Sequence, residues 1–388
     1  MTTSPAPLRY SLRTHRLAVL AAFALNGFLY ASWAARVPDI QAQYGVSDAA
    51  FGLVLICASG GAFLSMPFAA YLIARLGVVR TTVATGLLYA AAVALMPQLP
   101  PGGVVYPLFF VMGVGFGLLD VAMNAQAVEV EKAYGRSIVS SFHAGFSGAM
   151  IAGALASSAV IYLGLGFRWH LAGAAVLGVL VIAWMAPRLY PYSTSDDEAA
   201  AADASAFRLP VPATWLLGAI GFCAMMSEAS IADWTTKYML EVAGAAKYIA
   251  PWSLAAFSVM MTVGRVFGDG LRDRHGDARL LRFGTALACG GMALTLAYPT
   301  AYTTIAGAAL IGAGLSVAVP IVFSLSGRIK GLSASAALSM VTTISYLGLF
   351  IGPAVIGFLS EGFGLRVGYG FVLGVLAVLS GLVWRVRA

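Results

Sequence analysis

Two short motifs recur in this chain at one shared offset. Arg75-Leu76-Gly77, lying between two apolar segments, returns 199 residues later as Arg274-His275-Gly276. Gly113-Val114-Gly115, inside a later apolar segment, returns at the same offset as Gly312-Ala313-Gly314. Separate motifs that keep one offset and one order imply that half of the chain repeats the other half. The expected fold is two parallel repeats.

What the repeats are made of follows from how few charges they carry. Only 10% of the 388 residues are charged and 60% are hydrophobic, whereas soluble domains carry about 25% charged residues. So few charges cannot cover a water-facing surface, and the chain reads as an all-α integral membrane protein whose surroundings are the lipid bilayer. Segments of about 20 apolar residues cross a bilayer as helices. Twelve are found, with cores at 17–35, 49–73, 81–97, 105–127, 138–162, 169–187, 212–236, 250–268, 282–298, 302–325, 336–359 and 367–384. Spans two, five, eight and eleven are the ones expected to run longer. Between spans six and seven lies Ser193-Thr194-Ser195-Asp196-Asp197-Glu198, followed by an alanine run and Asp203. That polar, small-residue stretch reads as a cytoplasmic linker. Residues 1–188 and 211–388 are therefore expected to form two six-helix bundles joined by a linker at 189–210.

The net charge of +7 would suit a nucleic-acid partner, but its placement argues for membrane topology instead. With the amino terminus inside and the spans alternating, 18 of the 23 Lys and Arg residues fall on the inner side. Arg36, Arg168, Lys237, Lys247 and Arg366 fall outside. This bias predicts an even number of spans with both termini cytoplasmic, and no nucleic-acid partner. Cys57, Cys223 and Cys289 sit in apolar segments without CxxC spacing, so packing is expected of them, not a metal or a disulfide. The first apolar run flows directly into a span-length segment, and no cleavable signal is expected.

The repeated motif also carries a resemblance. Ala70-Tyr71-Leu72-Ile73-Ala74-Arg75-Leu76-Gly77, with Arg80 following, and Leu271-Arg272-Asp273-Arg274-His275-Gly276 resemble the loop motif G-x-L-x-D-R-x-G-R-R of the major facilitator superfamily. Six plus six spans about a polar central loop look like that superfamily too. The resemblance implies its fold, and a cytoplasmic latch between the halves built here from Arg75, Gly77, Asp273 and Arg274. Ala74 stands where the first-half motif has its acid, which leaves Asp273 as the acidic partner. Arg265 and Asp269, one turn apart near the cytoplasmic end of span eight, are read as part of the same latch.

A narrower resemblance rests on three stretches. Gly117-Leu118-Leu119-Asp120-Val121-Ala122-Met123-Asn124 resembles the acidic-x-x-x-Asn stretch of fucose-permease-like proton symporters. Ser141-Phe142-His143-Ala144-Gly145 and Glu228-Ala229-Ser230-Ile231-Ala232-Asp233-Trp234 are similar to segments of a bacterial branch near those permeases. The resemblance implies proton symport of a sugar-like solute through a cavity lined by spans one, four, seven and ten.

Ionisable groups within spans cost about 2.5–3.5 kcal/mol each on insertion scales, so each is a functional candidate. Asp120, in span four with no cation near it in sequence, is the first choice for a proton carrier. An acid held away from water takes up a proton more readily, which reversible coupling requires. Asn124, one turn on and on the same face, is read as a partner for substrate or for the protonated acid. His143 lies about two turns past the turn that follows span four, so it can share the depth of Asp120 and form a relay with it. Bonding a backbone carbonyl is the alternative for this histidine, as interior packing is for Asp120. Glu228 is the second coupling candidate. Asp233 is explained more simply by a helical pair with Lys237. Trp234 and Trp33, related by an offset of 201, suit either a sugar face or an interfacial belt. Asn26 and Tyr30, one turn apart in span one, suit substrate or a neighbouring helix.

Enzymatic motifs do not support another class. There is no GxxxxGK[ST], HExxH or GxSxG, and no soluble domain to hold a catalytic site. The Gly-x-x-x-Gly-Pro pattern typical of span five in drug antiporters occurs instead in span eleven, as Gly348 to Pro353, which tilts against drug efflux. The expectation is a monomeric secondary active transporter of the bacterial cytoplasmic membrane. It works by alternating access on a small-molecule substrate, with the proton gradient as energy source and no cofactor or metal. The competing expectations are a proton-coupled efflux antiporter for a small metabolite or drug-like compound, and a membrane receptor without flux.

Overall fold

A helix satisfies its own backbone groups, which is what lets an apolar segment exist away from water. The computed structural model describes residues 10–135, 138–191, 211–329, 332 and 334–386, without the side chains of Ser140, Asp269, Ala334 and Ser335. Its helices are α1 (Leu12–Ala34), α2 (Val37–Tyr44), α3 (Asp48–Leu76), α4 (Val78–Leu95), α5 (Val105–Tyr134), α6 (Val139–Tyr162) and α7 (Phe167–Met185). They continue as α8 (Trp215–Glu241), α9 (Pro251–His275), α10 (Asp277–Ala297), α11 (Ala301–Leu315), α12 (Ala318–Ser326), α13 (Ala334–Phe363) and α14 (Leu365–Val383). Most of the expected linker, 192–210, lies outside the described residues.

Eleven segments among the described residues are long and apolar enough to cross a membrane, with 301–326 counted as one. The segment expected as span eight is the helix α9 of 25 residues, which is not among the eleven. The multi-pass membrane character of the chain follows from the eleven.

The internal repeat is visible atom by atom. Gly77 alone joins α3 to α4 at φ 80°, ψ 151°, and Gly276 alone joins α9 to α10 at φ 77°, ψ 157°. Only glycine takes up such a conformation without strain. A Cβ on Gly113 would lie 1.8 Å from the Ala58 carbonyl oxygen, and one on Gly312 would lie 2.3 Å from that of Phe257. Gly115 likewise meets the amide of Tyr89, and Gly314 that of Ala288. Each of these neighbours stands at the same 199-residue offset as the glycines themselves. Both halves therefore dock their helices backbone to backbone through equivalent small residues, the packing that lipid favours.

Several boundaries differ from the sequence reading. α5 runs on to Tyr134 instead of ending near 127, because its last turn is polar and held by a 2.6 Å Lys132–Glu129 pair. Glu131 then accepts from the amides of Ile138 (2.5 Å) and Val139 (2.8 Å), capping the start of α6. Span ten is broken between α11 and α12, four residues after Gly312, where Pro320 cannot donate to Ser316. The short α2 was not expected. It starts with Pro38 in its first turn and ends on Gly45 at φ 64°, the usual helix start and stop.

Within the first half, α1 packs on α6, α3 on α5, and α4 on α5 and α7. Within the second, α8 packs on α13, α9 and α10 on α11, and α10 on α14. Between halves, α3 runs along α13 and α6 along α9. One end of the bundle carries the chain near residues 12, 77, 135 and 276. The other, called here the far end, carries 35–48, 163–166, 242–250 and 364.

Candidate functional site

The two seams enclose a cavity of about 300 Å³ between the halves. Its wall is drawn from α1, α3, α4, α5 and α6 on one side and α8, α9 and α13 on the other. Spans one, four and seven line it as expected. Span ten does not; its helix α11 packs on α9 and α10 of its own half through Gly312 and Gly314. About half of the lining residues are aromatic or methionine, including Trp33, Phe116, Phe146, Phe257, Tyr346 and Phe350.

Three carboxylates and one guanidinium interrupt that apolar wall: Asp120, Glu228, Asp233 and Arg265. The glycine-rich run before Asp120 draws α5 against α3 and α4 and brings the half-buried carboxylate to the wall. Asn124 donates to the Asp120 carbonyl at 2.8 Å and to its Oδ1 at 3.4 Å. No Lys, Arg or His nitrogen lies within 4.0 Å of Asp120 or Asp233 among the described residues. Asp233 accepts from the Tyr30 hydroxyl at 2.7 Å, a bond from α8 to α1 that joins the halves. Glu228 does have a cation, Arg265, at 3.2 Å. The same guanidinium donates to Ser147 on α6 at 3.4 Å. Ser258 is a lining residue, 2% exposed, and its buried hydroxyl has no hydrogen-bond partner.

The remaining candidates fall elsewhere. Asp120 and His143 are not bonded to each other among the described residues; His143 is exposed and packs edge-on to Phe23 at 5.1 Å. Asn26 is fully buried, donates to the Met123 sulfur at 3.8 Å, and leaves its Oδ1 without a partner. Trp234 is fully buried outside the cavity, donating to the Pro353 carbonyl at 3.1 Å with its ring edge-on to Phe51. Tyr30 and Trp33 do face the cavity, and Trp33 donates to the Tyr89 hydroxyl at 3.3 Å.

The expected pair of Asp233 with Lys237 is replaced. Lys237 turns away to Asp48, and donates to Gln41 at 2.8 Å. These bonds cross between the halves at the far end. Ser360 also donates to Asp48, and Glu361 accepts from the Asp48 amide at 3.0 Å, capping α3 from the other half. Lys247 reaches Asp39 at 3.3 Å, and Arg36 holds the same carboxylate at 3.1 Å while donating to His170. Burial holds the Arg36 guanidinium below its ordinary range. Sequence reasoning missed this network. Its signal is present all the same: Arg36, Lys237 and Lys247 are among the few cations on the side where cations are scarce.

At the opposite end, the residues expected as a latch do not meet. Arg75 lies over the ring of Tyr71 on its own helix, at 5.5 Å. Asp273 and Arg274 are exposed, and no ion pair joins them to the other half among the described residues. Gly77 serves the turn between α3 and α4. Arg265 sits in the cavity wall, and the side chain of Asp269 lies outside the described residues.

Comparisons with known proteins agree with this architecture. An uncharacterised MFS-type transporter of Yersinia pestis is 31% identical over 92% of this chain and 92% of its own length. Membrane protein MosC of Rhizobium meliloti is 28% identical over 94% of this chain and 88% of its own. Among solved structures, a point mutant of the nucleoside transporter NupG superposes with a TM-score of 0.74 at 12% identity, over 95% of this chain and 98% of its own. A bacterial homologue of the human lysosomal transporter Spinster, inward-facing and occupied, gives 0.73 at 14% identity over 95% of each chain. These two show the fold alone. Residues 18–331 match the Major Facilitator Superfamily, and with the repeated halves and the cavity between them this chain belongs to that superfamily of membrane transporters.

Proposed function

We propose that this chain is a proton-coupled secondary active transporter of a small solute in the bacterial cytoplasmic membrane. In this reading α9 is the twelfth span, both termini are cytoplasmic, and residues 1–188 and 211–388 rock about the cavity as a monomer. The observation that carries it is Asp120: a carboxylate on the wall between the halves, with no cation within 4.0 Å among the described residues. Protonation removes its charge and lets the loaded carrier reorient; release of the proton on the other side resets it. Each proton moved inward across 100 mV contributes about 2.3 kcal/mol, or roughly fifty-fold accumulation.

The far-end network supports an inward-facing state, with the outer side closed by Asp48, Lys237 and Glu361. Arg75, Asp273 and Arg274 then meet only when the cytoplasmic side closes, with Asp269 as a further acid and Gly77 as the turn that presents Arg75. Glu228 with Arg265 and Asp233 with Tyr30 are the further coupling and binding groups; Asn124 tunes Asp120. Kinship to fucose-permease-like symporters rests on Asp120-x-x-x-Asn124 and favours symport of a sugar-like solute. The aromatic wall favours the second reading, proton exchange for an apolar or drug-like compound.

The test is proton flux in proteoliposomes loaded with a pH dye, challenged with pooled sugars, amino acids and amines. Solute-driven proton movement is expected in the wild type and lost in Asp120→Asn, and its sign separates symport from exchange. Equal flux in the two proteins would sink the role of Asp120.

A further inference from the structure

We infer that the ligand of the cavity is an organic ammonium with a flat apolar body, and that it competes with protons for the carboxylates of Asp120 and Asp233. The inference rests on the second reading above, proton exchange, and names its substrate class.

Charge sets the class. The Glu228 carboxylate is already offset by Arg265 at 3.2 Å. Among the described residues Asp120 and Asp233 have only neutral donors, Asn124 at 3.4 Å and the Tyr30 hydroxyl at 2.7 Å. An anionic ligand would meet two uncompensated acids and one guanidinium already engaged. An ammonium supplies the missing cation and makes charge-assisted hydrogen bonds.

The wall sets the body. Trp33, Phe116, Phe146, Phe257, Tyr346 and Phe350 contribute aromatic rings, and such rings attract both flat apolar groups and cations. A neutral polyol could lie on those rings but would leave the two acids without a cation. Ser258 is among the lining residues, is 2% exposed, and has a hydroxyl without a hydrogen-bond partner. A volume of about 300 Å³ limits the ligand to one or two rings. A protonated carboxyl has no charge to attract an ammonium, so proton and ligand exclude each other, the relation that exchange requires.

The test is a charge series on one ring, titrated into the purified full-length chain: phenethylammonium, phenethyl alcohol and phenylpropionate. The ammonium is expected to bind at least about tenfold tighter than the alcohol, with the carboxylate weakest. In the Asp120→Asn, Asp233→Asn double variant that advantage disappears while the affinity for the alcohol persists, which shows that the protein is still folded. Lowering the pH weakens the ammonium and not the alcohol. Equal binding of ammonium and alcohol, tightest binding of the carboxylate, or an advantage that survives in the double variant overturns the inference. So does proton flux driven by another solute with no ammonium binding, and that result leaves proton-coupled transport standing. Ammonium binding without flux in sealed vesicles keeps the inference and removes the transport reading.

Discussion

Glu228 and Arg265 show what a pair does for the cavity wall that neither residue does alone. Both side chains are about a quarter exposed, 27% and 28%, so the pair is partly shielded from water. Arg265→Gln leaves a carboxylate without its cation, and Glu228→Gln leaves a guanidinium without its anion. Each is expected to lower stability by about 1–3 kcal/mol, while the double variant recovers most of it. Thermal unfolding of the four proteins in detergent closes that cycle; additive losses would mean that the pair is incidental. At the far end the corresponding residue is Lys237, 9% exposed and held by Asp48 of the other half. Lys237→Met is expected to favour opening there. Spin labels on Ala42→Cys and Gly362→Cys, one on each half, would report it as a new population at longer distance. An unchanged distribution would assign the closure to helix packing instead.

Among the elements, the decisive contact is the one made twice. α5 lies on α3 at Gly113, and α11 lies on α9 at Gly312, each against a backbone carbonyl. A methyl group at either position has nowhere to go, since the obstacle is main chain and not the tip of a flexible side chain. Gly113→Ala and Gly312→Ala are expected to destabilise by about 1–3 kcal/mol each, as overpacking does. Gly103→Ala, whose new Cβ has nothing within 4 Å, serves as the control. Denaturation midpoints would separate the three, and a loss at Gly113 without one at Gly312 would show that the two halves do not share their packing logic.

For the whole molecule, two helix seams and several polar bonds hold the halves together, and they do different work. The α3–α13 seam sets Phe63 edge-on to Phe350, and the α6–α9 seam adds bonds from Trp252 to Ser158 at 3.0 Å and from Arg265 to Ser147 at 3.4 Å. The far-end bonds among Asp48, Gln41, Lys237, Ser360 and Glu361 have partners in one arrangement only. Bridging Ala42→Cys to Gly362→Cys with a bifunctional maleimide is therefore expected to abolish transport and leave ligand binding intact, because in the proposed inward-facing state the cavity is reached from the other end. Transport that survives the bridge would rule out rocking about the cavity.

Much of this was legible in the chain. Apolar segments of span length have one way to satisfy their backbone away from water, so helices followed from composition alone. The two motifs at a 199-residue offset announced equivalent halves because close backbone contact admits only glycine. Pro38 and Gly45 also marked α2, but eight residues are too few to stand out by periodicity. Side-chain partners were a different matter. Local spacing offered Lys237 to Asp233 four residues away, yet the lysine went to Asp48, 189 residues distant. Span-end position made Arg265 look like a latch, yet it faces Glu228 inside the cavity. Spacing along a helix sets which residues share a face, but it does not say what that face meets. A charge removed from water takes whichever partner the packing brings within reach, and only the tertiary arrangement of the two halves decides that.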